Sequence, residues 1–163
     1  MAKKTFFSFH YVPDNWRASQ VRNIGAIEGN RPLSDNDWES IVGRGPAAIQ
    51  GWIDGQMTDR AAAVVLIGSQ TAGRKWIKYE IEKAWNDGKG LVGIYIHGLK
   101  NAAGSQAPKG ANPFADFTVG DKKLSSIIKA YDPPYQSSGY VYQHISDNIA
   151  DWVDEAIDIR SNF

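Results

Sequence analysis

The sequence has no cysteine among its 163 residues. Thiolate nucleophiles, disulfide frameworks, zinc knuckles and iron–sulfur ligation are excluded together. Long apolar runs are also missing: the longest, Ala61–Gly68 and Leu91–His97, fall far short of the roughly 20 residues a membrane span requires. Neither sign of charge is in excess, since 18 Lys and Arg face 18 Asp and Glu. Such balance argues against a whole-domain grip on nucleic acid or anionic lipid. The opening residues show no apolar signal region and no small-residue cleavage site, so a cytoplasmic location is expected. No phosphate-binding glycine fingerprint follows any strand-like segment, because Gly43-x-Gly45 lies inside a helical pattern. His10, His97 and His144 are scattered and share no face with a second ligand at metal-binding spacing, so neither a metal nor a bound cofactor is expected.

What is present reads as one domain spanning residues 1–163, long enough to bury on the order of two-thirds of its unfolded surface without a staple. Thr5–Phe9, Ala61–Ile67 and Gly90–Ile96 are short runs rich in β-branched and aromatic residues. They do not alternate with polar residues, which predicts strands covered on both faces and hence a parallel sheet. Helical spacing governs the stretches between and after them. Ile145, Ile149, Trp152, Val153, Ala156 and Ile157 form one stripe, opposite Asp147, Asp151, Asp154, Glu155 and Asp158. Ile77, Ile81, Ala84 and Trp85 form another, ending at Gly88, a natural left-handed cap. The stripe Trp38–Ile53 must kink or split at Gly43, Gly45 and Pro46. A shorter helix is expected over Asp14–Asn23 with Asp14 as its cap, and Gly98–Pro113 reads as a long surface loop. Alternating strands and helices predict a three-layer, open α/β sheet, mainly parallel, with helices on both faces. Ligands of such sheets gather at the carboxyl ends of the strands. The segments of interest are therefore Ser8–Tyr11, Gly68–Lys75 and His97–Asn101.

The segment Ile67–Glu80 leads from a strand end through a polar, glycine-bearing turn into a helix. Glu80 lies about 60° around the axis from Ile77, on the border of the buried stripe. Partial desolvation there raises a carboxyl's proton affinity and makes it a candidate reactive group. The plainer reading pairs Glu80 with Lys83 or the charges near Lys75 and leaves Trp76 in the core.

Phe7-Ser8-Phe9-His10-Tyr11, with Trp16-Arg17 and Val21-Arg22-Asn23 behind it, resembles the opening of TIR-like domains, especially those of the bacterial Thoeris anti-phage system, the ThsB family. Val65–Thr71 followed by Arg74-Lys-Trp76-Ile-Lys-Tyr-Glu80 is similar to that family's central block, including the W-x-x-x-E helix of TIR domains. Gly93–His97 and Gly110–Phe114 resemble its next strand and loop, so the motif-bearing part covers about residues 3–117, while Thr118–Tyr142 carries no motif. The resemblance implies a flavodoxin-like fold and an enzyme of NAD glycohydrolase or ADP-ribosyl cyclase type, with Glu80 as catalytic carboxylate and NAD as substrate. It also implies an ADP-ribose-derived, cyclic signal that activates a separate effector, and self-association with other TIR domains. Activity would then depend on assembly or on a phage-derived trigger. The same resemblance makes Ser8, Phe9, His10, Trp38, Ser69 and Trp76 candidates for binding NAD. Thr71 is a further candidate, and Arg17, Arg22, Arg74 and Lys75 are candidate phosphate partners. Each has an alternative: Phe9 as a core ring, Ser69 as a helix cap, the cations as solvated charges. Two functional alternatives stand beside this one, a non-catalytic TIR adaptor and a nucleoside deoxyribosyltransferase-like enzyme. By segment the charge is uneven: residues 1–22 hold four basic and one acidic side chain, and 61–100 hold six and three. The C-terminal 144–163 hold one and five. Local positive charge thus accompanies the two segments where a diphosphate would sit.

Overall fold

The computed structural model describes residues 4–29 and 35–163, the side chains of 35–38 excepted. Strands β1 (Thr5–Ser8), β2 (Ala62–Ile67) and β3 (Gly90–Tyr95) are buried at every position. They pair in parallel, with Thr5 opposite Ala62 and Ala62 opposite Gly90. A fourth strand, β6 (Ala130–Tyr131), extends the sheet beside β3, again in parallel. The sequence does not announce it, because two residues carry no readable period. Between β3 and β6 lie the small antiparallel pair β4 (Thr118–Val119) and β5 (Lys122–Lys123), after a long irregular segment that includes the expected loop. On the far side of β1, Lys4 makes a single parallel bridge to Glu28. The chain thus passes outward from β1 to residue 28 and returns across β1 to β2, so strand order reverses at β1.

Helices cover both faces, as the unbroken apolar strands require. Helix α1 (Tyr11–Arg22) and the long α5 (Ser138–Ser161) pack on one face against Phe7, Val64, Leu66, Val92 and Ile94. On the other, α2 (Asp35–Gly43), α3 (Pro46–Met57) and α4 (Lys75–Asn86) pack against Phe6, Ala63, Val65, Ile67 and Leu91. Alternate strand residues feed opposite layers, as the pleat dictates. The expected split of the 38–53 stripe falls at Gly45, whose φ of 95° ends α2 before Pro46 opens α3. Helix α1 begins three residues before its expected cap: Asp14 lies inside the first turn, and the N-cap position is His10. No helix among the described residues is long and apolar enough to cross a membrane.

Helix α4 ends as its glycine predicts. Gly88 adopts φ 76°, its N–H donates to Trp85 O, and the Lys89 N–H reaches back to Ala84 O. This reciprocal pair satisfies the last carbonyls of the helix. Two residues on, Gly90 is constrained by space instead, since a Cβ there would lie 2.7 Å from the Ile157 backbone nitrogen in α5. Gly88→Ala has open room and is expected to cost about 1 kcal/mol, the left-handed strain alone. Gly90→Ala must displace α5 backbone and is expected to cost about 3 kcal/mol. Chemical denaturation of the two variants checks the ranking.

Candidate functional site

The reversal of strand order places a crevice where the chain leaves β1 and β2, the usual ligand position of an open α/β sheet. A cavity of about 360 Å³ opens there. Phe9, His10 and Tyr11 line it from the end of β1, and Arg74–Ile77 and Glu80 from α4. Ile49, Trp52 and Ile53 of α3 complete an apolar wall. In the sequence the α3 stripe is legible only as core; the same residues, Ile49 and Ile53 of the core with Trp52 packed against it, also wall the cavity.

Glu80 borders both the stripe and the cavity. Ile77, Ile81 and Ala84 carry α4 onto the sheet, and Glu80, three residues after Ile77, is drawn down with them to 6% exposure. The Ser8 hydroxyl donates to its Oε1 at 2.9 Å. The expected intrahelical pairing does not form: Lys83 pairs with Asp87 at 2.9 Å, and Lys75 Nζ lies over the Trp76 ring. Burial pushes the Glu80 carboxyl up to about 8, with the Ser8 bond pulling the other way. In the resting protein the group is thus largely protonated at neutral pH, whereas the resemblance calls for an ionised carboxylate.

The other candidates divide by position. Phe9 is half-buried, stacks on Tyr11 with centroids 5.9 Å apart, packs on the α1/α5 layer and lines the cavity. Trp76 likewise lines the cavity and packs on the core, edge-on to Tyr79. Arg74 Nη2 approaches His10 Nε2 at 2.6 Å, and burial followed by the Arg74 charge lowers the His10 pKa. Arg22 lines the cavity, with its own pKa lowered first by burial. Arg74 and Lys75 stand exposed at its rim, at the start of α4. Trp38 belongs to α2, but its side chain lies outside the described residues.

Four residues are placed elsewhere. Ser8 is 1% exposed and does not line the cavity; it reaches the site only through Glu80. Ser69 lies in the turn after β2, against Gly110, and is neither a lining residue nor the cap of α4, whose N-cap position is Arg74. Thr71 is fully buried, and its hydroxyl accepts the Gly68 N–H, closing that turn. Arg17, expected either to meet phosphate or to be solvated, does neither: it is 4% exposed. It donates to Leu99 O and Ser105 O, both at 2.9 Å, and to Asp14 Oδ1 at 3.3 Å. Asp14, which the sequence does not mark as a core group, is buried with its pKa raised chiefly by burial, and a Cβ on Gly68 would lie 2.0 Å from its Oδ2. The pair therefore ties α1 to the loop after β3. Among the described residues no three acidic or histidine side chains gather as a metal site.

The two buried carboxyls respond differently to substitution. Arg17→Met leaves the Asp14 charge buried without its partner and is expected to cost about 3–5 kcal/mol, part of it recovered in Asp14→Asn/Arg17→Met; denaturation midpoints measure both. For Glu80 the folded-state pKa is raised from 4.5 to about 8. Its contribution to stability is then complete below pH 4.5 and is lost as pH rises through 8, with a slope of about 1.4 kcal/mol per pH unit between those limits. Glu80→Gln removes that dependence, so the variant should gain stability relative to the parent between pH 5 and 8, read from paired melts across that range.

Comparison with known proteins agrees with this geometry. The family model described as "Thoeris protein ThsB, TIR-like domain" matches residues 6–101, which carry β1 to β3 and every described wall of the cavity. A Bacillus cereus (strain MSX-D12) protein named "Putative cyclic ADP-D-ribose synthase ThsB1" is 36% identical over 119 residues, 70% of this chain. The matched stretch spans 62% of that relative's length. With the parallel order at β1 to β3, the W-x-x-x-E helix against the cavity and a match over more than half of its length, the chain belongs to the family of the Thoeris protein ThsB, with its TIR-like domain.

Proposed function

We propose that this chain cleaves NAD at the bond between nicotinamide and ribose and makes from it a cyclic, ADP-ribose-derived nucleotide, with Glu80 as the catalytic carboxylate. The observation that carries the reading is a buried glutamate, bonded only to Ser8 among the interactions described, in the wall of an apolar cavity at the sheet's switch point. The relative's name, a cyclic ADP-D-ribose synthase, supports the same class of product.

The chemistry suits one carboxyl group. Nicotinamide leaves from NAD as a neutral molecule, the glycosidic electron pair returning to the pyridinium nitrogen, so no acid is required. The ribose carbon becomes oxocarbenium-like, and a carboxylate beside it stabilises that charge. An adenine nitrogen of the same molecule then closes the ring through its lone pair, or a ribose hydroxyl closes it, or water opens the route to ADP-ribose, the hydroxyl or water giving up its proton to the Glu80 carboxylate; the apolar wall favours ring closure by keeping water out. A cationic pyridinium entering beside Glu80 favours loss of its proton, so the group becomes ionised as the substrate arrives. At about 360 Å³ the cavity sits at the low end of small-molecule sites, and the diphosphate falls to the rim, where Arg74 and Lys75 stand at the start of α4. The product activates a separate effector, and the chain works in assemblies with other TIR domains after a phage-derived trigger.

Incubation with NAD, followed by mass spectrometry and chromatography of the products, tests the reading. Nicotinamide and a cyclic ADP-ribose isomer should appear together. The value of kcat/KM should rise about tenfold per pH unit up to about 8, because it reports the free enzyme's carboxyl, and Glu80→Gln should lower turnover by at least about 100-fold. Base exchange on deoxynucleosides, or defence that persists in Glu80→Gln with NAD untouched, would overturn it.

A further inference from the structure

Ser8 and Glu80 are 72 residues apart in sequence and are joined by one hydrogen bond at 2.9 Å. Ser8 is the last residue of β1 and, two residues after Phe6, points to the same layer of helices, so the strand itself fixes the hydroxyl beneath α4. It is 1% exposed and takes no part in the cavity wall, whereas Glu80 does. None of the ion pairs among the described residues reaches Glu80. The cavity wall therefore presents the carboxyl and not the serine.

We propose that Ser8 is a positioning residue for Glu80: its hydroxyl clamps one carboxyl oxygen from the protein side, so that the group faces the cavity in a single orientation. This rests on the reading of Glu80 as the reactive carboxylate and reassigns Ser8 from a substrate-binding residue to one that acts through another. A carboxylate can only accept, and the hydroxyl is free to donate, so the bond is strongest when Glu80 is ionised. The clamp also opposes burial, the force that holds the proton on. Orientation and readiness to ionise are thus set by the same atom.

The side-chain carboxyl carbon of Glu80 can be followed by NMR through a pH titration of the full chain labelled with ¹³C-glutamate, and assigned by its loss in Glu80→Gln. Ser8→Ala should raise the midpoint by about one pH unit, a tenfold gain in proton affinity. Ser8→Cys, close in shape and a weaker donor, should move it the same way by less, and it keeps the test open should the alanine variant fail to fold. In NAD turnover, Ser8→Ala should lower kcat/KM about tenfold at pH 7. The part of that deficit remaining near pH 9.5 should lie in kcat, with KM within about twofold of the parent. An unmoved midpoint, or a loss at high pH carried by KM, would overturn the proposal, the second outcome meaning that Ser8 touches substrate. If the parent chain leaves NAD intact under activating conditions, the catalytic reading fails, while the carboxyl titration still decides whether Ser8 governs Glu80.

Discussion

Coverage of the central sheet on both faces is the constraint on which the rest depends. Strands β1, β2 and β3 have no solvent-facing side, and every one of their residues is buried. Polar chemistry can then enter only where strands end, and any polar group near those ends must find a partner or lose its charge. Three groups near the carboxyl edge show three solutions. Thr71 spends its hydroxyl on the Gly68 N–H, Asp14 is matched by Arg17, and Glu80 takes a single serine hydroxyl and keeps its proton. Only the last of these lines the cavity.

The contrast between the two buried carboxyls separates structure from chemistry. Asp14 is opposed by a guanidinium that is itself anchored on two backbone carbonyls of the loop after β3; Arg17 meets its Oδ1, while its Oδ2 is buried without a hydrogen-bond partner. Glu80 has no cation among the described ion pairs, and its partner is neutral. An electrostatic vacancy of that kind suits a cationic ligand. It also costs stability at neutral pH, and a group kept at such a cost is characteristic of reactive sites.

Much of this was legible in the sequence, for reasons that can be traced to particular residues. Unbroken apolar runs marked β1 to β3, and the 3.6-residue stripe of Ile77, Ile81 and Ala84 both placed α4 and put Glu80 at its border. Gly88 and Gly45 marked helix ends because their conformations are left-handed or nearly so. What stayed hidden lacked local period or depended on contacts distant in sequence. Strand β6 is two residues long and is held by register with Gly93 and Ile94 alone. Arg17 looked like a surface charge because nothing near it in sequence announces Leu99 O or Ser105 O. The place of Ser8 at the end of β1 was readable, but the pleat that turns it under α4, onto Glu80, is a property of the folded sheet.

The neutral resting state of Glu80 and the ionised state that glycosidic cleavage needs are reconciled by the ligand's own charge. A dry carboxyl without a cation holds its proton because solvation has been withdrawn, and the strength of that hold measures how much the site would gain from a positive partner. On the proposed reading, a pyridinium in the cavity supplies that partner, and the interaction is strong for the same reason the proton was held, since both arise from a medium that screens charge poorly. When nicotinamide leaves, the positive charge passes to the ribose carbon, so the carboxylate remains opposed throughout the step and never stands alone in the apolar wall. Glu80 regains its proton from the attacking hydroxyl or water or, where an adenine nitrogen closes the ring, from solvent as the product leaves. On that reading substrate charge, and not a residue paired with Glu80, completes the electrostatics of the carboxyl, in a cavity whose wall holds one carboxyl and whose rim carries Arg74 and Lys75.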